Sequence, residues 1–230
     1  MNLAIIPARG GSKRIPGKNS KLFAGKPLIA YSIQAAIESD VFDKIIVSTD
    51  SQQIADIAKS YGAEVPFLRP TALSDDYVGT GPVTKHALEF CVEHFFEPEF
   101  CCCIYATAPF LTAGYLKQGL QSLVTQQHKQ YAFSVASFGF PVQRALKRAD
   151  AGVVPMYPEH IGKRSQDLEE AYHDAGQFYW GRSSAFLQSK AMFQQHSIPI
   201  ILPRHLVQDI DTPEDWQRAE LMYKAYIQGQ

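Results

Sequence analysis

A loop near the N-terminus combines glycines and cations in a pattern that suits a polyphosphate. Residues 7–19, PARGGSKRIPGKN, contain three glycines and four basic side chains. Glycines let the backbone turn tightly, and crowded cations repel one another unless an anion lies between them. The loop follows the apolar residues 3–6, so we expect it at the carboxyl end of a parallel strand, where ligands bind in open α/β sheets. A solvated basic loop without a ligand is the alternative.

This loop matches neither of two common phosphate-binding motifs. Five residues separate Gly11 from Gly17, where G-x-x-x-x-G-K-[ST] has four, and Asn19 follows Lys18 where that motif has a hydroxyl. Gly10 and Gly11 are adjacent, which excludes the dinucleotide pattern G-x-G-x-x-G. The loop pattern by itself therefore indicates an anion without identifying it.

Two carboxylates near the C-terminus are spaced to share a cation. Asp209 and Asp211 lie two positions apart, and in an extended chain such side chains point to the same face. Mg²⁺ binds one or two carboxylates and keeps water or phosphate oxygens, so we predict a Mg²⁺ site facing a triphosphate. A helix cap is equally compatible, because Asp211 or Thr212 precedes Pro213, a favourable first helical residue. A phosphatase reading of Asp-x-Asp fits less well, since that pair is expected after an early strand.

The elements that position these residues follow from hydrophobic periodicity. Apolar, β-branched runs predict strands, and segments of helical period separate the first four of them. Continuous apolar strands are typical of a mostly parallel sheet covered on both faces, so we predict a three-layer α/β fold. The predicted strands are residues 3–6, 44–48, 64–68, 100–105, 132–137 and 198–202.

Apolar stripes also predict the helices. One stripe runs from Ile29 to Ile37, a second follows Asp50 or Ser51 as the N-cap, a third begins after Pro82, and the last helix begins near Pro213. Residues 141–172 show neither period, so we expect this stretch to leave the main sheet.

Composition limits the classes of function. The 230 residues, 46% of them hydrophobic, suit one domain spanning residues 1–230, and the net charge of −1 with scattered basic residues excludes a nucleic acid polymer or a membrane surface as partner. The short apolar N-terminus lacks the features of a signal peptide, which predicts a cytoplasmic protein. Cys101, Cys102 and Cys103 are consecutive on a predicted strand, so they cannot converge on one metal and are expected in the core.

Residues 5–13, IIPARGGSK, with residues 16–19, PGKN, resemble the N-terminal motif of the cytidylyltransferases that make CMP-sialic acid and related CMP-nonulosonates. The similarity covers the whole chain. It implies a Rossmann-like nucleotidyltransferase fold and a homodimer, with the small inserted lobe at 141–172 pairing the subunits. It also implies that CTP and Mg²⁺ activate an acidic nine-carbon sugar. The residues that it assigns to the nucleotide are Ala8, Arg9, Gly10, Gly11, Ser12, Lys13, Lys18, Asn19, Arg69 and Thr80.

The resemblance further implies a direct displacement. The anomeric hydroxyl of a 2-keto sugar acid attacks the α-phosphorus of CTP, and pyrophosphate leaves. Lys18, Arg9 and Asp211 are the predicted catalytic residues, and Asp209 with Asp211 is the predicted metal pair. For Arg69, a surface ion pair is an equally good interpretation. A nucleotide-binding protein without catalysis is the competing hypothesis.

The predicted sugar side departs from the sialic acid enzymes. Tyr105 stands where they have a glutamine, and His173 and Ala175 replace an arginine and an asparagine. These changes look like the pseudaminic acid branch, with sialic, legionaminic or Kdo sugars as alternatives. For His173, a packed core residue is the stronger local interpretation. The candidate sugar-binding residues are Tyr105, Arg144, Lys163, Arg164, His173 and Gln177.

Overall fold

The apolar runs form strands that are covered by helices on both faces. The computed structural model describes residues 1–75 and 77–229. The strands are β1 (Asn2–Pro7), β2 (Leu22–Phe23), β3 (Lys26–Pro27), β4 (Lys44–Ser48), β5 (Phe100–Ile104), β6 (Tyr131–Ser137), β7 (Leu146–Ala149), β8 (Gly152–Pro155), β9 (Tyr172–Arg182) and β10 (Ser197–Ile201). The helices are α1 (Leu28–Ser39), α2 (Gln52–Ser60), α3 (Thr80–His94), α4 (Ala113–Thr125), α5 (Ser183–Leu187) and α6 (Pro213–Gln228).

The central sheet has the strand order β10-β6-β9-β5-β1-β4. The pairs β1–β4, β1–β5 and β10–β6 are parallel, while β9 is antiparallel to both neighbours. Side chains of α1, α2 and α4 pack in one apolar cluster, and those of α3 and α5 pack in another that contains alternate residues of β1 and β5. The mostly parallel three-layer α/β prediction is therefore confirmed.

Two strand predictions differ from the structure. Residues 64–68 form only isolated bridges, Ile46 with Glu64 and Thr49 with Leu68, because Pro66 lacks the N–H that a continuous ladder needs. The periodicity also missed β9, which lies in the middle of the sheet. Its first half is polar and its pairing with β6 is interrupted between Phe133 and Val135, so it shows neither regular alternation nor a continuous apolar run.

The helix caps resolve two alternatives that the sequence left open. At α2 the side chain of Ser51 accepts a hydrogen bond from the Ile54 N–H at 3.4 Å, so Ser51, and not Asp50, is the cap. At α6 the cap is Thr212, which forms a reciprocal capping box with Asp215. Asp211 is therefore not the cap of α6.

The three consecutive cysteines are core residues, as predicted. Cys101 and Cys102 are inaccessible and belong to apolar clusters on opposite faces of the sheet, while Cys103 is 3% exposed. Burial raises the pKa of all three thiols, and that of Cys103 to about 12. Neutral, enclosed thiols behave as small hydrophobic side chains.

The stretch 141–172 leaves the main sheet, as expected. Within it β7 and β8 pair only with each other as an antiparallel hairpin. Several of its apolar side chains are exposed, among them Leu146, Val153, Met156 and Ile161. None of the helices in the described part of the chain has the length and apolar character that crossing a membrane requires.

Candidate active site

A cavity of about 790 Å³ lies at the carboxyl ends of β1 and β5, between the N-terminal loop, the start of α3 and the acidic pair near the C-terminus. Its volume is typical of sites that enclose a small ligand. Another depression of about 440 Å³ beside β10 has no charged side chain in its lining. The larger cavity is lined by Pro7, Arg9, Ser12, Lys13, Arg14, Lys18, Asn19, Arg69, Val78, Gly79, Thr80, Val83, Tyr105, Ala106, Thr107, Asp209 and Asp211.

A tight turn directs Lys18 toward this cavity. Gly17 has a φ of +63°, a left-handed conformation that favours glycine, and its carbonyl accepts the N–H groups of Ser20 and Lys21 at 2.9 Å. The Asn19 side chain donates to the Arg9 carbonyl at 3.0 Å and so ties the two halves of the loop together. The glycine that follows Pro16 is thus required by the shape of the loop.

The two ends of the chain meet in the cavity. The Lys18 ammonium donates to the Ile210 carbonyl at 2.7 Å and lies 3.3 Å from Asp211 Oδ1. The Arg14 guanidinium lies 2.9 Å from Asp211 Oδ2. The cationic loop and the acidic pair predicted from sequence therefore face each other across one site. Arg14 was counted among the loop cations but was missed as a site residue.

The acidic pair has the electrostatics of a cation site. Burial raises the pKa of Asp209, the nearby charge of Asp211 raises it further, and Lys18 opposes the shift. Among the described residues there is no group of three or more His, Cys, Asp or Glu side chains suited to a metal. A hard cation here would take its other ligands from water and phosphate oxygens, which is how Mg²⁺ binds beside a nucleotide. The donor set fits Mg²⁺.

Arg69 is buried and forms part of the rigid wall of the cavity. It is 6% exposed, and its guanidinium donates to the carbonyl of Ser48 and, at 3.1 Å, to the Ser48 hydroxyl. Burial lowers its pKa, while Asp50 acts in the opposite direction. The interpretation of Arg69 as a surface ion-pair partner was wrong.

Two of the residues assigned to the nucleotide, Ala8 and Gly10, bond to the fold through their backbone N–H groups. Ala8 is 1% exposed and its N–H donates to the Ser48 carbonyl at 2.9 Å. The Gly10 N–H donates to Asp50 Oδ1 at 2.8 Å, and neither Gly10 nor Gly11 lines the cavity. The backbone N–H groups of Ala8 and Gly10 already have protein acceptors, so neither of these two donors is directed at a phosphate.

Polar groups on the other wall are available to a substrate. The Oδ1 atom of Asn19 is buried and has no hydrogen-bond partner among the described residues, although the side chain lines the cavity. Thr80 begins α3, whose N-terminal N–H groups carry partial positive charge, and its hydroxyl lies 3.4 Å from the Tyr105 hydroxyl. Thr107 also lines this wall and was not predicted.

Of the six candidate sugar-binding residues, only Tyr105 lines the cavity. Gln177 is 3% exposed, its side chain donates to the Leu206 carbonyl, and it is not part of the cavity lining, so its place at the sugar stays a prediction. His173 is exposed and packs its ring edge-on against Phe138, which contradicts the packed-core interpretation.

The remaining basic candidates lie on the inserted lobe. The Arg144 guanidinium donates to the Lys163 carbonyl at 2.6 Å, and Arg164 pairs with Asp167 at 2.8 Å. Arg144, Lys163 and Arg164 are exposed and are not part of the cavity lining. The structure of a single chain therefore separates these three residues from the site that contains Lys18 and Asp211.

Comparisons with known proteins identify the family of the chain. A family model described as cytidylyltransferase matches residues 3–226. The pseudaminic acid cytidylyltransferase of Campylobacter jejuni is 46% identical over 97% of this chain and 96% of its own length. The CMP-N,N'-diacetyllegionaminic acid synthase of Legionella pneumophila is 34% identical over 95% of this chain and 94% of its own.

The fold also resembles a solved structure. A CMP:2-keto-3-deoxy-manno-octonic acid synthetase complexed with CTP superposes with a TM-score of 0.69 at 15% identity, over 98% of this chain and 99% of the other. At that identity the likeness concerns the fold alone. The family model and the relatives with high coverage decide the classification: this chain belongs to the cytidylyltransferase family.

Proposed function

We propose that the protein transfers CMP from CTP to the anomeric hydroxyl of a nine-carbon 2-keto sugar acid, pseudaminic acid, and releases pyrophosphate. The observation that carries this proposal is the contact of Lys18 with Ile210 and Asp211, which places a cationic loop opposite an acidic pair. A triphosphate with its metal ion complements both groups of charges, since the phosphates attract the cationic loop and the metal ion attracts the acidic pair. The names of the Campylobacter and Legionella relatives support a CMP-sugar acid as product.

The cationic side chains have separate tasks in this reaction. Arg9 and Lys13 line the cavity and bind the departing pyrophosphate. Lys18, which is 17% exposed, neutralises charge that develops on the α-phosphate oxygens. Both tasks stabilise the transition state by position and charge, so no covalent intermediate with the protein is needed.

Asp209 and Asp211 would hold Mg²⁺ in the active enzyme. Bound there, the ion would supply positive charge to the phosphate oxygens. Asp211 also lies beside Lys18 and Arg14, and its carboxylate oxygens are placed to accept the proton of the attacking hydroxyl.

The cytidine would lie against the wall that contains Arg69 and Thr80. The unpartnered Oδ1 of Asn19 is an acceptor for a hydroxyl or amino group of the nucleoside. Asn19 and Arg69 are both more than nine-tenths buried, so their polar atoms are fixed before the nucleotide binds.

We further propose a homodimer that forms through the inserted lobe. The exposed apolar residues of the hairpin, Leu146 and Val153 among them, would be buried by a second subunit. That arrangement would also bring Arg144, Lys163 and Arg164 to the neighbouring site, where they would bind the sugar carboxylate. Because CTP is made and used in the cytoplasm, we place the enzyme there.

Pyrophosphate release from CTP tests the function directly. The purified protein is given CTP and Mg²⁺ with pseudaminic, legionaminic, sialic or Kdo sugar acid, one at a time. We expect the fastest release with pseudaminic acid and none with CTP alone. Release with none of the acids, despite CTP binding, would support a nucleotide-binding protein without catalysis, and inorganic phosphate released without CTP would indicate a phosphatase.

A further inference from the structure

A second, smaller cavity adjoins the active-site cavity. It has a volume of about 270 Å³ and shares Thr80 and Tyr105 with the larger one. Pockets that enclose a whole small ligand usually measure about 300–1,000 Å³. The two cavities are adjacent at Thr80 and Tyr105, so the smaller one lies next to any ligand bound in the larger one. The smaller cavity therefore suits one substituent of the sugar and not a complete substrate.

The lining of the smaller cavity is apolar with a few polar groups. The side chains of Phe186, Met192 and Phe193 form its apolar part, and Asp174 and Tyr179 contribute a carboxylate and a hydroxyl. An acylamino group matches this mixture, because its methyl needs apolar contact and its amide N–H needs an acceptor. A hydroxyl in place of the acylamino group has no methyl, so it would leave the apolar side chains of the cavity without a contact.

A bulge in β9 brings the polar pair together. Tyr179 is opposite Phe133 of β6, but the next paired residue of β9 is Asp174, opposite Val135, so four residues of β9 face one residue of β6. Gly176 in this bulge has a φ of +61°, and its N–H donates to Asp174 Oδ1 at 3.0 Å. The bulge thus folds Asp174 back toward Tyr179.

The carboxylate of Asp174 is held in one orientation. The Tyr179 hydroxyl lies 2.8 Å from Oδ1 and 2.7 Å from Oδ2, and the Gly176 N–H supplies the second donor. An ionised carboxylate accepts at about four lone-pair sites, so about two remain for a ligand. The ring of Tyr179 also lies 5.2 Å from that of Tyr105, which forms the wall shared by the two cavities. Asp174 is therefore an oriented acceptor that lines the smaller cavity at its exposed side.

We propose that Asp174 selects the acceptor sugar by accepting a hydrogen bond from the N–H of an acylamino group, whose methyl packs against Phe186 and Met192. The inference rests on the proposed function, because it assigns a substituent of the sugar that attacks CTP. Tyr179 is a positioning residue, since it acts by orienting the Asp174 carboxylate. Neither residue touches the triphosphate in this arrangement.

The test measures pyrophosphate release for Asp174→Ala, Asp174→Asn and Tyr179→Phe. The substrates are pseudaminic acid, which carries acylamino groups, and an analogue with hydroxyls in their place. The exposed Asp56, which accepts a bond from Gln52 on α2, provides the matched control Asp56→Asn. CTP binding by calorimetry and the melting temperature show whether each variant is folded.

We expect Asp174→Ala to lower kcat/KM for pseudaminic acid about 10- to 100-fold through the KM of the sugar, with the KM of CTP unchanged. The wild type should prefer pseudaminic acid over the analogue at least tenfold, and this preference should fall below about threefold in Asp174→Ala. Tyr179→Phe should give a smaller loss of the same kind.

Several outcomes would overturn the proposal. One is a sugar KM that is unchanged in folded Asp174→Ala. Another is a rise in the KM of CTP that equals the rise in the KM of the sugar. The third is a wild type that does not prefer pseudaminic acid over the hydroxyl analogue. If Asp174→Ala does not fold, Asp174→Asn keeps the shape of the side chain but removes its charge and one acceptor oxygen, so a sugar KM unchanged in Asp174→Asn would also overturn the proposal. A wild type that releases no pyrophosphate with any sugar acid would refute the proposed function instead, so the two failures are distinguishable.

Discussion

Replacing Lys18 with Met removes one positive charge from the active site and keeps most of the side-chain length. In the folded protein the Lys18 ammonium lies 2.7 Å from the Ile210 carbonyl and 3.3 Å from Asp211 Oδ1. Its side chain is only 17% exposed, so solvent screens the charge weakly. In the proposed reaction this charge would lie where the phosphate oxygens of CTP become more negative during transfer.

The size of the effect follows from Coulomb's law. Two unit charges about 4 Å apart attract by about 4 kcal/mol at an effective dielectric constant of about 20. Each 1.4 kcal/mol, roughly, corresponds to a tenfold change in rate. If Lys18 acts mainly on the transition state, we expect Lys18→Met to lower kcat about a thousandfold.

The assay is pyrophosphate release at saturating CTP and sugar acid, with CTP binding measured separately by calorimetry. The control is Lys117→Met, which removes a charge from the exposed surface of α4. Lys18→Met should remain folded and bind CTP within about tenfold of the wild type, because Arg9 and Lys13 remain in the cavity. A kcat within about fivefold of the wild type would show that Lys18 is not at the reacting phosphate.

Three further predictions concern the metal and the fold. Chelation of divalent cations by EDTA should lower pyrophosphate release more than about 100-fold, and added Mg²⁺ should restore it; release that persists in EDTA would contradict the role given to Asp209 and Asp211. Gly119→Ala on α4 should cost about 1–3 kcal/mol in urea unfolding, because a Cβ there would lie 2.6 Å from Trp180 Cδ1. Gly114→Ala on the same helix is its control, since that Cβ would meet nothing closer than 3.8 Å, and equal losses in both would refute the packing argument. Thr212→Ala should cost about 1 kcal/mol by loss of the α6 cap, and an unchanged urea midpoint would contradict this.

Much of the fold was predictable because it depends on local patterns. The strands β1, β4, β5, β6 and β10 are continuous apolar runs, and Ser51 and Pro213 mark helix starts by their residue type. By contrast, β9 combines polar residues with a bulge whose shape depends on its neighbours, so its position between β5 and β6 was not readable from periodicity.

The charged side chains of the site could be predicted from residue type. The directions of its backbone N–H groups could not. The cationic loop and the acidic pair were identified by residue type, and the structure brings Lys18 to Asp211. Which backbone N–H groups remain available depends on partners distant in sequence. Gly10, for example, donates to Asp50 on the neighbouring strand turn, a contact that the glycine pattern does not reveal.

The contact between Lys18 and Asp211 joins residues 193 positions apart in the chain. Closing so long a loop costs chain entropy, which the sheet offsets only once its strands have paired. During synthesis, the ribosome has made the cationic loop long before residue 211 emerges. A nascent chain therefore carries the cationic half of the proposed site without its acidic half until the segment with Asp211 has been made.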